Sequence, residues 1–183
     1  MKIEQNLAII GMGKMGNTLI NSLINNHVVK PEQIFGTDPR EEIILKIKKK
    51  LQIKVGRDNR QAVSHGDIVV LAVKPQIIKK VLPQILPELT ENKIIISIAA
   101  GISTVFIEKK LNKPLPVIRV MPNIASLVST GMSALCAGKY VKKEQFEIAL
   151  KIFESIGEVE TIHREELMDA VTGLSGSGPA YSY

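Results

Sequence analysis

The sequence predicts an α/β fold in which helices cover both faces of a mostly parallel β-sheet. Strand-length runs made up almost entirely of apolar residues, such as residues 7–10 and 67–73, alternate with amphipathic stretches of helical length. Continuously apolar strands are typical of sheets whose two faces are both covered. Their alternation with helices indicates βαβ units, and a glycine-rich turn separates the first strand from the first helix.

The elements follow one another without an internal repeat or a long linker. Strands are predicted at residues 7–10, 33–37, near 53, 67–73, 93–99, 117–121, 132–137 and 158–162, the seventh as an outer strand. Helices are predicted over residues 13–25, 39–50, 75–86, 104–111 and 142–155, with another beginning near Arg164. The helix at 142–155 is clearly amphipathic because Phe146, Leu150 and Phe153 share one side, and Gly157 is expected to end it.

Composition and charge narrow the possible classes of partner. The chain has 183 residues, of which 45% are hydrophobic, and this is enough to build a core. The net charge is +6, and the most obvious group of cations is a lysine cluster formed by Lys46, Lys48, Lys49 and Lys50. We interpret this cluster as a solvated helix face that at most steers anionic ligands. Aromatic residues make up 4% and tryptophan is absent, so no nucleic-acid partner is expected.

The setting predicted from the sequence is cytoplasmic, without membrane association. No apolar run approaches the roughly 20 residues that cross a bilayer. The first strand follows almost directly on Met1, without a leader peptide. Cys136, the single cysteine, cannot form an intramolecular disulfide, and we expect a small buried hydrophobe and not a nucleophile.

The glycine-rich turn has the form of a dinucleotide-binding phosphate loop. It follows an apolar strand and opens a helix, and its residues are Gly11, Met12, Gly13, Lys14, Met15 and Gly16. In a Rossmann-type fold, the first glycine permits the tight turn, the second lets the backbone approach the pyrophosphate, and the third lets the helix pack on the strand. The helix N-terminus presents free N–H groups to the phosphates.

Asp38 and Arg40 leave the choice of dinucleotide open. Asp38 lies 22 residues after Gly16, near the spacing at which a carboxylate meets the adenosine ribose and favours NAD. Arg40 argues for NADP because a guanidinium can bind the 2′-phosphate. Asp38 is also expected to cap the following helix, with Pro39 in the first turn and Glu41 completing a capping box.

Three further strand ends carry candidate cofactor residues, because ligands of open α/β sheets bind at the carboxyl ends of the strands. Lys74 could meet a phosphate or a ribose, small side chains near residue 100 leave room for a flat ring, and Asn123 offers one amide. The candidates at these ends are Ala72, Val73, Lys74 and Pro75, then Ala99 and Ala100, then Met121 and Asn123.

The last segment contains a serine-glycine turn formed by Ser175, Gly176, Ser177 and Gly178. The turn is expected to break one helix, and Pro179 suits the first turn of the next. Such a junction offers hydroxyl and backbone N–H groups that suit a carboxylate. Taken alone, an ordinary interhelical turn is the simpler interpretation.

Five blocks in order along the chain resemble the pyrroline-5-carboxylate reductase family. They are residues 10–16, 71–76, 97–101, 119–123 and 169–181, and the last block is the most specific. The resemblance implies reduction of 1-pyrroline-5-carboxylate to L-proline by hydride transfer from NADPH or NADH, the last step of proline biosynthesis. It also implies that the serine-glycine turn borders the substrate together with Glu165. Residues 11–16, Asp38, Asn59, Lys74 and Ala100 are implied to hold the cofactor.

The implied chemistry requires neither a metal nor a catalytic side chain, because a protonated imine is already electrophilic and the cofactor performs the difficult step. His27, His65 and His163 lie outside the matching motifs and are expected at the surface. Another reductase of similar layout, such as an imine reductase or a β-hydroxyacid dehydrogenase, is one alternative, although the last block argues against it. A non-catalytic dinucleotide-binding module is the other.

The resemblance also predicts the domain organisation. Residues 1–163 are expected to form the dinucleotide-binding domain, and residues 164–183 the truncated start of a helical domain for substrate binding and dimerisation. Full-length members are implied to be homo-oligomers. Because the chain stops shortly after the serine-glycine turn, we expect it to bind cofactor with inefficient turnover, and its own assembly stays open.

Overall fold

The computed structural model describes residues 2–123 and 131–176, and within them the strands form one eight-stranded sheet. The strands are β1 (Leu7–Ile10), β2 (Ile34–Thr37), β3 (Lys54–Gly56), β4 (Ile68–Leu71), β5 (Ile94–Ser97), β6 (Val117–Pro122), β7 (Gly131–Ala137) and β8 (Gly157–Thr161). The helices are α1 (Lys14–Asn25), α2 (Glu41–Leu51), α3 (Asn59–His65), α4 (Pro75–Ile85), α5 (Thr104–Leu111), α6 (Lys143–Glu154) and α7 (Leu167–Val171).

The strand order is β3-β2-β1-β4-β5-β6-β7-β8. The first six strands are parallel, β7 is antiparallel to β6, and β8 runs parallel to β7. The predicted mostly parallel Rossmann-type sheet is therefore confirmed. The strand order reverses between β1 and β4, and such a reversal opens a crevice at the carboxyl ends of the strands.

Two apolar layers lie on opposite faces of the sheet. On one face, Ile9 and Val70 belong to a cluster with residues of α1, α2 and α6. On the other, the neighbouring residues Ala8 and Val69 belong to a cluster with residues of α3, α4 and α5. Successive strand residues point to opposite faces, so all four residues of β1 are buried. Helices on both faces, as predicted, account for this pattern.

The element boundaries differ from the prediction in several places. Helix α3 was not predicted, and Asp58 caps it by accepting a hydrogen bond from the Arg60 N–H. Strand β7 is not at the outer position, because β8 pairs with its free side. Gly157 does not end α6, which stops at Glu154; instead it opens β8 with φ +146°, where a side chain would collide with the Gly131 carbonyl.

Three predictions about single side chains or composition can also be compared with the structure. His27 and His163 are exposed, but the prediction that His65 lies at the surface is wrong. His65 is half-buried at the end of α3, and its ring meets that of Phe35 edge-on, with centroids 6.1 Å apart. Cys136 is buried, and burial raises the pKa of its thiol. No helix among the described residues is long and apolar enough to cross a membrane.

Candidate functional site

The phosphate loop joins β1 to α1 and contains two glycines that the backbone requires. Gly11 has φ +99°, and a Cβ there would lie 2.6 Å from the Ala72 carbonyl oxygen and 2.9 Å from Val73 Cγ1. A Cβ on Gly16 would overlap the Gly11 carbonyl oxygen and lie 3.2 Å from the Gly11 carbonyl carbon. Each of these two positions therefore accommodates only glycine. Because neither residue has a side chain, the loop lies directly against residues 72 and 73, which follow β4.

Gly13 differs from these two glycines because space is open beside it. It is the N-cap of α1 with φ −67°, and the atom nearest to an added Cβ is Arg40 Nη2 at 4.0 Å. The first turn of α1 contains no acidic residue, and Lys14 there is exposed. The glycine at 13 is therefore not needed for packing, and the open approach to the helix N-terminus suits an anionic group.

Met12 has a structural role that the glycine-rich motif does not indicate. Its side chain is only 1% exposed and fills the space above Gly36 in β2, where a Cβ on Gly36 would overlap its sulfur. Its backbone N–H donates a hydrogen bond of 3.1 Å to Asp38 Oδ2. The phosphate loop is thereby fixed to the end of β2.

Asp38 directly follows β2 and is 4% exposed. Besides the Met12 N–H, its carboxylate accepts from the Arg40 backbone N–H at 3.1 Å, Arg40 Nε at 2.8 Å and Arg40 Nη2 at 3.0 Å. Burial alone would raise the pKa of this carboxyl group, but the hydrogen bonds and charge of Arg40 outweigh it and hold the pKa below its ordinary value. The carboxylate is charged and fully engaged by the protein.

The predicted capping of α2 by Asp38 is wrong. Helix α2 begins at Glu41, with Arg40 as its N-cap and without a side-chain capping bond. The carboxylate of Asp38 is drawn instead to the loop N–H and to the guanidinium, which satisfy a buried charge better than a helix end would.

The other candidate residues described next lie at or just beyond the ends of β2, β4 and β5. Asn59, the first residue of α3, accepts a hydrogen bond of 2.7 Å from Thr37 Oγ1 at the end of β2. Lys74 is the exposed N-cap of α4, and Pro75 is the first residue of that helix. The chain turns after β5 with Ala99 buried, Ala100 half-buried and Gly101 at φ +70°.

The end of β6 is fixed to the beginning of β7. The Asn123 N–H donates to the Met132 carbonyl, and Asn123 Oδ1 accepts from the Met132 N–H, both at 3.2 Å. Met121 is half-buried beside this pair. The amide of Asn123 therefore already has one partner within the protein.

Glu165 joins a network that the sequence did not predict. Its two carboxylate oxygens accept from the Thr104 backbone N–H and from Thr104 Oγ1, each at 2.7 Å. Arg119, which is 5% exposed in its side chain, lies 3.6 Å from Glu165 and donates to Asp169 at 2.6 Å. The network ties α7 to β6 and α5. Its signal in the sequence is a lone arginine inside the apolar strand β6.

The serine-glycine turn is only partly within the described residues. Thr172–Gly176 forms a π-helical turn that continues α7, so the backbone of Ser175 and Gly176 extends the helix instead of breaking it. Ser177 and Gly178 lie outside the described residues. The residues that the structure brings together are those of the phosphate loop with residues 38, 40, 59, 72 and 73. Glu165 is placed in a separate network.

Comparison with known proteins places this geometry in a family. The sequence model of a family described as "NADP oxidoreductase coenzyme F420-dependent" matches residues 6–101. The pyrroline-5-carboxylate reductase of Methanosarcina acetivorans is 43% identical over 180 residues, which are 98% of this chain and 66% of the relative. A pyrroline-5-carboxylate reductase structure from Coxiella burnetii is 36% identical with a TM-score of 0.94, over 98% of this chain and 67% of that one.

The chain belongs to the pyrroline-5-carboxylate reductase family. A further structure, the Plasmodium falciparum pyrroline carboxylate reductase with NADP bound, is 33% identical with a TM-score of 0.87. It is matched over 98% of this chain and 65% of its own length. The chain thus spans just under two thirds of the length of the Methanosarcina and Plasmodium reductases. Prephenate dehydrogenase from A. aeolicus, at 21% identity and a TM-score of 0.80, shares the fold alone.

Among the described residues of this reductase-family chain, no group of three or more His, Cys, Asp or Glu side chains could hold a metal ion. The polar groups of the site are backbone N–H groups, Lys74, Arg40 and amides. Such a set suits the binding and orientation of an anionic dinucleotide.

Proposed function

We propose that the chain binds NAD(P)H at the carboxyl ends of β1, β2, β4 and β5 and serves the reduction of 1-pyrroline-5-carboxylate to L-proline. The observation that carries the proposal is the phosphate loop: Gly11 and Gly16 hold it against β4, while Gly13 leaves its centre open. Membership of the reductase family supports the choice of substrate.

The described residues fit a dinucleotide. The open N-terminus of α1 and the backbone at Gly13 would hold the pyrophosphate, and Lys14 adds a positive charge beside it. The small residues Ala99 and Ala100 would border the nicotinamide ring. Asn59 lies beside Thr37 at the end of β2, where it would meet the adenosine ribose.

When bound, the reduced nicotinamide supplies a hydride to the carbon of the C=N bond. The ring nitrogen of the substrate, protonated from solvent, takes the electron pair of the broken π bond and becomes the amine of proline. This chain's residues would orient the two reactants and exclude water. We further propose that Ser175, Gly176, Ser177 and Gly178 bind the substrate carboxylate, with Glu165 nearby.

Deuterium transfer tests the reaction. The chain is incubated with 1-pyrroline-5-carboxylate and NADPH that carries deuterium at the transferable position, and L-proline is analysed by mass spectrometry. The proposal predicts L-proline with one deuterium on the former imine carbon. Dinucleotide binding without any labelled proline would contradict reductase activity of this chain, and it would fit either a reductase with an incomplete site or a non-catalytic dinucleotide-binding module.

The second domain and the assembly stay predictions. We propose that residues 164–183 begin a helical domain and that the assembled protein is a cytoplasmic homo-oligomer. Light scattering of the purified chain, with and without NADPH, measures the assembly directly.

A further inference from the structure

The ion pairs of Arg119 join β6 to the segment that contains α7. The Arg119 side chain is 5% exposed, and its Nη2 donates to Asp169 Oδ1 at 2.6 Å. Its Nη1 lies 3.6 Å from Glu165 Oε1. Because a buried cation without a partner is strongly unfavourable, Arg119 holds both carboxylates close to β6.

The spacing of the two carboxylates fixes the rotation of α7 about its own axis. Glu165 lies in the turn just before the helix and Asp169 lies four positions later, so both are on one side. Helix α7 has five residues and is too short to be stable alone, so tertiary contacts determine its position. The other contact is Met168, which is fully buried in a cluster with Ala134 and Cys136 of β7.

The orientation of α7 is passed on to the π-helical turn that follows it. The helix continues directly into Thr172–Gly176, and Thr172 Oγ1 donates to the Met168 carbonyl oxygen at 2.7 Å. Strand β6 also contacts this turn. Single π-helical turns are frequent at functional sites. The rotation of α7 therefore determines where the backbone of residues 175 and 176 lies, at the start of the segment proposed to bind the substrate carboxylate.

Glu165 also connects α7 to the wall proposed for the nicotinamide ring. Its two oxygens accept from the backbone N–H and the Oγ1 of Thr104, which is buried and is the first residue of α5. A carboxylate is well placed there because the first N–H groups of a helix have no partner within the helix. Helix α5 closely follows the turn at residues 99–101. One carboxylate thus joins the cofactor wall to the substrate segment.

We propose that Arg119 is a positioning residue for hydride transfer. Through Glu165 and Asp169 it holds the turn at residues 99–101 and the π-helical turn at a fixed separation, so that the nicotinamide and the imine meet in a reactive geometry. This inference rests on the proposed function. Its expected effect is large, because a displacement of about 1 Å between reactants can lower a rate about a hundredfold.

Steady-state kinetics of Arg119→Lys tests the positioning. Lysine keeps the charge but lacks the planar fork that reaches both carboxylates. The kcat for proline formation should fall about tenfold or more, whereas the Kd of NADPH, measured by fluorescence titration, should stay within about twofold because the phosphate loop is separate from the network. Wild-type kcat at a temperature well below the melting temperature of the variant would show a role in stability alone and would overturn the inference.

Substitutions in α7 test whether the ion pair itself is responsible. Asp169→Asn should lower kcat about two- to fivefold, a smaller effect because this side chain is 73% exposed and its ion pair is screened. Glu166→Gln is the matched control: it removes the same charge from an exposed neighbouring position that makes no ion pair with Arg119. In Arg119→Lys the Asp169→Asn change should have little added effect. Equal loss of kcat in Asp169→Asn and Glu166→Gln would show a general charge effect and would overturn the inference.

Hydrogen exchange tests the connection without turnover. In Arg119→Lys, the amides of residues 104–107 and 167–172 should exchange about tenfold faster, and those of α3, which packs at the other end of the sheet, should keep their rates. Unchanged exchange at residues 104–107 would show that Arg119 does not hold α5 and α7 together and would overturn the inference. A wild-type chain that forms no proline would contradict the proposed function and the role in hydride transfer, while the exchange rates would still decide whether the network joins α5 to α7.

Discussion

Two glycines of the phosphate loop, Gly13 and Gly16, should separate cofactor binding from stability. In Gly16→Ala the new methyl group overlaps the Gly11 carbonyl oxygen and lies 3.4 Å from Ala72 Cβ. The obstructing oxygen belongs to the backbone, so α1 or the loop must move. Overpacking at this level costs up to about 3 kcal/mol, and the better helix propensity of alanine returns about 1 kcal/mol.

The expected net loss in the free energy of unfolding of Gly16→Ala is about 2 kcal/mol. In a chain of this size, that loss lowers the melting temperature by about 4–8 °C. Because the loop is displaced, dinucleotide binding should weaken as well.

Gly13→Ala is the matched substitution in open space. Its methyl group has Arg40 Nη2 as its nearest neighbour at 4.0 Å, and the φ of −67° suits alanine. Alanine is a poorer N-cap than glycine, but it also restricts the unfolded chain, so the free energy of unfolding should change by less than about 0.5 kcal/mol. The methyl group stands where the pyrophosphate would approach, and NADPH affinity should fall about tenfold or more.

Thermal unfolding and NADPH titration of both variants check these values. Wild-type NADPH affinity in Gly13→Ala would refute the placement of the pyrophosphate. Wild-type stability in Gly16→Ala would refute the packing argument for that glycine.

Three further predictions concern the rest of the fold. Arg119→Met should lower the free energy of unfolding by about 2 kcal/mol, because it leaves two carboxylates without their buried cation; Arg60→Met, which removes an exposed arginine of an ion pair, should cost less in the same chemical denaturation assay. Burial, with a smaller contribution from Lys54, lowers the pKa of His65 below its ordinary value of 6.5. The unfolded chain therefore binds a proton at His65 more readily than the folded chain does. The free energy of unfolding should fall as the pH drops below about 6.5 towards the pKa of His65 in the folded chain. His65→Gln should reduce this slope in unfolding curves measured at several pH values, whereas the exposed control His163→Gln should keep it. Cys136 should react slowly with a thiol reagent in the native chain and rapidly in denaturant, since burial raises the pKa of its thiol; rapid native labelling would contradict its buried position.

Much of the fold could be predicted because the strands are short apolar runs and α/β alternation leaves few arrangements. The phosphate loop could be predicted equally well, since Gly11 and Gly16 are required by close backbone contacts and Gly13 leaves room for a ligand. Helix α3 was missed because it has only seven residues and two buried positions, too few for a helical period. The pairing of β7 with β8 depends on contacts between distant segments, which local patterns do not specify.

The site was harder to predict where one residue could serve two partners. Asp38 had a good local reason to cap α2, but the folded chain places it beside Met12 and Arg40, whose donors satisfy it more fully. Similarly, nothing local indicates that Arg119 in β6 meets residues 165 and 169, which are far along the chain. Such long-range charge pairs become visible only in three dimensions.

Hydrogen exchange with and without NADPH tests most directly whether the dinucleotide lies at the carboxyl ends of β1, β2 and β4. The structure predicts slower exchange on binding in residues 11–17, 38–40 and 72–75, and unchanged exchange in β7 and β8. Binding that protects other segments and leaves the amides of residues 11–17 unchanged would contradict the site.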